Sequence, residues 1–177
     1  SAWKKVDKIR EAQEGRVEGL RVKEAEDEAR AQLIEYNLVE IDALLALIWS
    51  ALDGGMDWEE IERLVGESAK QGDELASLVL SLDLRNGAIV VALSPDDDDD
   101  AGEAALTAAA LAVRLDVRQS ALANARDYYS GRKAASVKTR KTEEAAEAAV
   151  RAAEKKAASQ VAHIKVTHTI KAMRSAY

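Results

Sequence analysis

The chain has 177 residues, of which 47% are hydrophobic and 32% charged, with a net charge of −7. It has no cysteine, which excludes disulfide frameworks, thiolate zinc sites and cysteine nucleophiles and suits a reducing cytosol. No apolar run approaches the ~20 residues of a membrane span, and no N-terminal stretch has a cleavable signal design, so a cytoplasmic protein is expected.

One proline, nine glycines and no phenylalanine argue against a β-sandwich or a Rossmann enzyme, and 35 alanines leave much of the hydrophobic total as helix-forming filler. The expected class is mainly α with a small core.

Residues 1–30 carry eight acids and eight bases, in strong helix formers with a broken apolar stripe of Trp3, Val6, Val17 and Leu20. Arg10, Gln13, Glu24 and Asp27 fill the positions between, which predicts a coiled-coil arm too weak to stand alone. Gly15 and Gly19 either weaken it or permit close helix approach.

From Ala31 the stripe becomes regular through Ile34, Leu38, Ile41, Leu45, Ile48 and Leu52, with Leu44 and Leu47 widening it. That face is expected in a globular core. Asp53-Gly54-Gly55 ends the stretch. Asp57, three residues before Glu60, predicts a capping-box start for a helix with Ile61, Leu64 and Val65 inward and Trp58 stapling it to the core. Gly72 is the expected left-handed end of that helix, and Asp73 the cap of a short helix through Leu75, Leu78 and Val79.

Leu82 to Leu93 reads as a hairpin turning at Asn86-Gly87. The run Asp96 to Asp100 is expected as a solvated loop, because five adjacent carboxylates repel and lack the alternating ligand spacing of a calcium loop. Leu111 to Val117 alternates and predicts a third strand. Ser120 then caps one helix of ~55 residues, on the order of 80 Å long, interrupted only by Gly131.

A helix of that length needs a partner, and the N-terminal arm is the available one. The expected organisation is arm one at 1–30, a middle domain at 31–119 with an acidic loop at 94–110, and arm two at 120–177. An antiparallel pairing of 1–30 with 147–177 places an α+β middle domain (helices plus a hairpin or three-stranded sheet) at the tip of a long coiled coil. A domain-swapped dimer is the competing arrangement.

The segment Ser120-Ala-Leu-Ala-Asn-Ala-Arg-Asp-Tyr-Tyr129, the basic pair Arg132-Lys133, then Lys141-Thr142-Glu143-Glu144-Ala145-Ala146-Glu147 and Ala153-Glu154-Lys155-Lys156 carry more than periodicity. They resemble the coiled-coil region of the NFACT family, in its eukaryotic NEMF-type branch of ribosome quality control factors. Ile34-Glu35-Tyr36-Asn37-Leu38, Met56-Asp57-Trp58 and Gln71-Gly72-Asp73 resemble that family's middle domain. Ser130-Gly131 departs from a more helix-friendly pair, and a lysine-rich insertion after the acidic loop is shortened to about 96–110.

The resemblance implies a coiled-coil and middle-domain segment without the family's tRNA-engaging, helix-hairpin-helix and C-terminal modules. It implies binding to the large ribosomal subunit (rRNA and proteins) carrying stalled peptidyl-tRNA, and stabilisation there of the E3 ubiquitin ligase Listerin. It also implies support of C-terminal tailing of the nascent chain, with tRNA engaged through the missing domains.

Arg132, Lys133, Lys138, Arg140 and Lys141 place five bases and no acid within 130–142. They are the candidate rRNA-binding residues, by charge without base readout. Arg132, Arg140 and Lys133 lie nearer one side of a straight helix, with Lys138 and Lys141 displaced. The bland alternative is a solvated helix face answering the acidic middle, where residues 31–100 carry seventeen acids and three bases.

Tyr128-Tyr129 is read as packing, base stacking being the alternative. His163 and His168, about 140° apart on a helix, are not expected to share a metal. No nucleophile–base motif, phosphate-binding glycine loop or membrane-binding segment is evident, so no catalytic residue, metal or cofactor is expected. The expected role is a non-enzymatic scaffold; the alternative is a structural spacer making no specific contacts.

Overall fold

The computed structural model describes residues 1–95 and 111–176; the acidic run 96–100 and most of the 94–110 loop lie outside the described residues. The elements in chain order are α1 (Ala2–Tyr36), α2 (Leu38–Asp53), α3 (Trp58–Lys70), α4 (Glu74–Ser77), β1 (Val79–Asp83), a single 3-10 turn (Leu84–Asn86), β2 (Ala88–Leu93), β3 (Leu111–Asp116) and α5 (Ala121–Ser175). The fold is mainly helical with one three-stranded antiparallel sheet, ordered β1-β2-β3, as the class reading anticipates. Two compact units are present: Ser1–Glu24 with Lys133–Tyr177, and Ala25–Arg132.

The first unit is a coiled coil. Arg10 lies 2.6 Å from Glu154 and Arg21 is paired with Glu143. Advancing along α1 therefore retreats along α5 by the same number of residues, the signature of an antiparallel pair. That register brings Val6 level with Ala157, and both are buried. Gln13, Val17, Ala146 and Val150 meet along the same seam. The stripe read from the sequence is thus the interface, but the partner range shifts. In this register residues 2–24 lie opposite about 140–162 of α5, not 147–177, because α1 begins at Ala2. Residues 162–176 are exposed throughout. A methyl group at Gly15 or Gly19 would meet no neighbouring atom within 4 Å, so these glycines weaken the helix and do not serve close approach.

In the second unit the helical stripe is interrupted once, at Asn37. Its side-chain Nδ2 donates to the Leu33 carbonyl at 2.9 Å and to the Ser94 carbonyl at 3.3 Å, while its backbone N–H is shared between Leu33 and Ile34. An asparagine that competes for helix carbonyls stops the helix where periodicity alone would continue it. The stripe nonetheless stays on the core side except at Leu47, which with Leu64 of α3 was expected inward and is exposed, each lying at the edge of its helix's apolar face. Ile34, Ile41, Leu44, Leu45 and Ile48 are buried with Ile89, Val91 and Leu93 of β2 and Val113 and Leu115 of β3.

The caps sort by chemistry. Asp73 accepts from the Ala76 N–H at 3.0 Å, Gly72 has φ +86°, and Ser120 Oγ accepts from Ala123 N–H at 3.1 Å, as anticipated. Asp57 occupies the N-cap position of α3 without a side-chain hydrogen bond; its carbonyl, not its carboxylate, receives Glu60 N–H, so the capping box is absent. Trp58 is partly buried against the core with the Arg85 guanidinium 5.7 Å from its ring centre.

The short helix α4 ends at Ser77, and β1 starts at Val79, earlier than the sequence reading placed it. The hairpin forms, with Asp83 paired to Ala88, but its turn is not a two-residue Asn-Gly turn. Leu84 to Asn86 make a 3-10 turn and only Gly87 is left-handed, at φ +68°. The third strand pairs with β2 from Leu93↔Leu111 to Ala88↔Asp116.

Candidate nucleic-acid interface

The outer edge of β3 explains why α5 begins as it does. A strand edge presents unpaired N–H and C=O groups that must find partners. Asn124, 4% exposed, accepts from Asp116 N–H at 2.8 Å and donates to Asp116 C=O at 3.1 Å. One turn on, the Tyr128 hydroxyl accepts from Arg114 N–H at 3.1 Å and donates to Arg114 C=O at 2.8 Å. Arg30 Nε of α1 donates to Ala112 C=O at 3.1 Å. Every second residue of β3 is thus met by a side chain in place of a fourth strand. Ala121 and Ala125, both essentially fully buried, let the helix approach, and Asp42 of α2 accepts from the Ala121 N–H at 2.7 Å.

This use gives Tyr128 a packing role. Burial pushes the Tyr128 hydroxyl above the ordinary tyrosine range, opposed by its bond to Arg114, and its ring packs against the core. Burial likewise raises Tyr129, helped by its hydroxyl donating to Glu35 at 3.2 Å. Tyr128 is thus partly buried against the core and held by its hydroxyl to the strand edge.

The five bases divide between the units. Arg132, in the sheet-bearing unit, forms an ion pair with Glu28 of α1 at 3.2 Å. Lys133, Lys138, Arg140 and Lys141 belong to the coiled-coil unit and are exposed. None of these four is in an ion pair among the described residues. Lys133 and Arg140, seven residues apart, share one helix face; Lys138 and Lys141, three apart, share another.

The second face is the built one. Lys138 and Lys141 line an open groove of about 500 Å³ with Arg16 and Gln13 of α1, Thr142, and small apolar residues of α5, with no acid in the lining. Three cations from two helices thus line one groove in which Gln13 and Thr142 offer hydrogen bonds, a lining suited to phosphate oxygens. The sequence reading grouped Arg132 with Lys133 and Arg140 instead, because it counted positions on α5 alone. Arg16 does not stand out in the sequence, since residues 1–30 balance their charges; only the pairing of α1 with α5 puts it in the same groove lining as Lys138. His163 and His168 lie on the exposed part of α5, beyond this groove.

No protein-family model matches the chain. The human ribosome quality control complex subunit NEMF is 31% identical over 207 residues, covering 99% of this chain and 19% of that protein. The fruit-fly NEMF homologue is 30% identical over 178 residues, covering 98% of this chain and 18% of that protein. The fission-yeast ribosome quality control complex subunit 2 is 29% identical over 177 residues, covering 88% of this chain and 17% of that protein. The chain spans less than a fifth of the length of these curated relatives. Along nearly all of its own length it is similar to one region of each, and on that similarity the chain belongs to the NEMF-type family of ribosome quality control subunits.

Proposed function

We propose that this chain is a non-enzymatic scaffold segment acting in ribosome quality control in the cytoplasm. Its coiled-coil unit contacts rRNA of the large ribosomal subunit. Its sheet-bearing unit helps hold the E3 ubiquitin ligase Listerin on that particle. Capture of stalled peptidyl-tRNA and C-terminal tailing then depend on regions of the whole protein beyond this segment.

The observation that carries the reading is the groove of Arg16, Lys138 and Lys141, free of acids, in a chain aligned almost end to end with NEMF-type relatives. Phosphate contacts supply affinity without sequence readout, and such binding weakens with salt as condensed cations are released. Among the described residues no helix is long and apolar enough to cross a membrane.

Sedimentation of the chain with purified large subunits at several salt concentrations tests the rRNA contact. Saturable binding that weakens with salt supports it. The spacer alternative predicts no binding at any salt. The ligase contact is tested by deleting the sheet-bearing unit from the full-length factor and joining the two arms by a short turn. Undiminished capture of Listerin by that protein overturns this half of the reading.

A further inference from the structure

We propose that the apolar groove between α2 and α3 binds an amphipathic helix with a basic flank, supplied by a partner protein. The groove measures about 270 Å³ and is closed at one end by α4. Leu44, Ile48 and Ile61 form its buried floor, each 3% exposed, whereas Leu47, Met56 and Leu64 stand at its rim at 62%, 37% and 38%. The volume takes one or two large side chains and falls short of the space a whole small ligand fills. Its walls are two helices, with apolar positions repeating at 44, 47, 48 and 51 and at 61, 64 and 65. A third helix laid across them, with leucine-like anchors at three- and four-residue spacing, completes ordinary helix packing.

Charge selects the occupant. Residues 38–77 hold ten acids and two bases, and one of those bases, Arg63, is already held by Glu60 and Glu67 at 3.3 and 3.0 Å. An apolar slot in so acidic a surface repels nucleic acid and anionic membrane and attracts a cationic helix. A symmetric contact between two copies would oppose these acidic faces. Docking of one copy's exposed 162–176 segment into the next would be head-to-tail and would give a ring or an open chain, which sedimentation of the chain alone would reveal. The occupant is therefore a different protein. This inference stands apart from the rRNA and ligase readings, since its test uses neither ribosome nor ligase.

The probe is a synthetic 18-residue helix with leucine at positions repeating every three and four residues and lysine elsewhere, titrated against the whole chain by fluorescence anisotropy. A twin peptide with glutamate in place of lysine serves as its counterpart. Expected results are saturable binding of the lysine peptide, weakened by salt, and at least ~10-fold weaker binding of the glutamate twin. The Leu47→Asp/Leu64→Asp chain should lose at least ~10-fold for the lysine peptide.

Should that variant lose helicity by circular dichroism, Glu40→Gln/Glu62→Gln/Glu74→Gln replaces it; these substitutions leave the apolar slot intact and should flatten the salt dependence. Equal binding of both peptides, or unchanged binding and salt dependence in the folded variants, overturns the proposal. So does a wild-type dimer in sedimentation that Leu47→Asp/Leu64→Asp dissolves, which would assign the groove to a second copy.

Discussion

Asn124 serves Asp116 as a strand would: its side-chain amide receives the Asp116 N–H and donates to the Asp116 C=O, at 2.8 and 3.1 Å. The Asn124 Nδ2 group also donates to the Ser120 carbonyl at 3.0 Å, so one buried side chain joins the first turn of α5 to the edge of the sheet. The Ser120, Asn124 and Tyr128 spacing that carries the family resemblance is therefore structural. It docks a helix onto a strand edge at every second backbone position.

Asn124→Ala should destabilise the chain by about 1–3 kcal/mol, because two strand-edge groups lose their partners in a buried setting. Tyr128→Phe removes two bonds but should cost less, about 0.5–1.5 kcal/mol in all, since that hydroxyl sits nearer solvent, where water can replace it. Urea unfolding gives both magnitudes, and amide exchange at Asp116 and Arg114 locates them. Loss of less than the tyrosine effect in Asn124→Ala would contradict the strand-edge account.

Glycine substitutions should part in sign. Gly87 has φ +68°, and an added Cβ would lie 3.3 Å from the Arg118 guanidinium, so Gly87→Ala should cost roughly 1–2 kcal/mol. Gly131 is inside α5 with open space around it, and Gly131→Ala should stabilise by up to about 1 kcal/mol through helix propensity. Thermal unfolding of the two variants beside the parent checks the contrast.

The sheet should weaken in acid. The Arg114 guanidinium beside Asp83, helped by Asn86, holds that carboxyl below the ordinary value of 3.8. The Arg118 side chain and N–H do the same for Asp116. An aspartate depressed in the folded state stabilises it at pH above 3.8, and that contribution disappears as the pH falls through the folded value. Asp116→Asn should therefore be less stable than the parent at neutral pH, by no more than about 0.2–1 kcal/mol for so exposed a pair. The difference should close toward pH 3. A constant difference between pH 7 and pH 3 would assign the effect to something other than ionisation.

The coiled coil should rely on its seam more than on its ion pairs. A double-mutant cycle on Arg10 and Glu154, both well exposed, should return about 0.2–1 kcal/mol. Val6→Asp, placing a charge where 2% of the residue is exposed, should cost several-fold more and release the ends of both helices. Helicity followed by circular dichroism, with exchange protection near Ala157, distinguishes the two.

Much of this was legible in the residues. The stripe from Val6 through Gln13 to Leu20, the run from Ile34 to Ile48, the third strand and the Ser120 cap all follow from local periodicity and capping chemistry. Asn37 did not, because its effect depends on a side chain turning back on Leu33 and across to Ser94, and only the latter contact is non-local. The turn at Gly87 took a longer form than Asn-Gly suggests because the Asp83↔Ala88 pairing leaves four residues to connect. The basic groove was half legible: Lys138 and Lys141 stand out by charge, but Arg16 joins the lining only through the pairing of the two helices, which composition does not encode.

The measurement that bears most directly on the central claim is the salt dependence of large-subunit binding for the parent chain and for Arg16→Gln/Lys138→Gln/Lys141→Gln. Glutamine is nearly as good a helix former as lysine or arginine, so helicity should persist. If the groove meets rRNA phosphates, each lost contact removes roughly 0.7–0.9 from the magnitude of the log–log slope, about two for all three. Replacing Lys133 and Arg140, on the other face, should change the slope less. A folded triple variant that binds large subunits with the parent's slope would contradict the account, leaving these cations as the solvated face of a spacer.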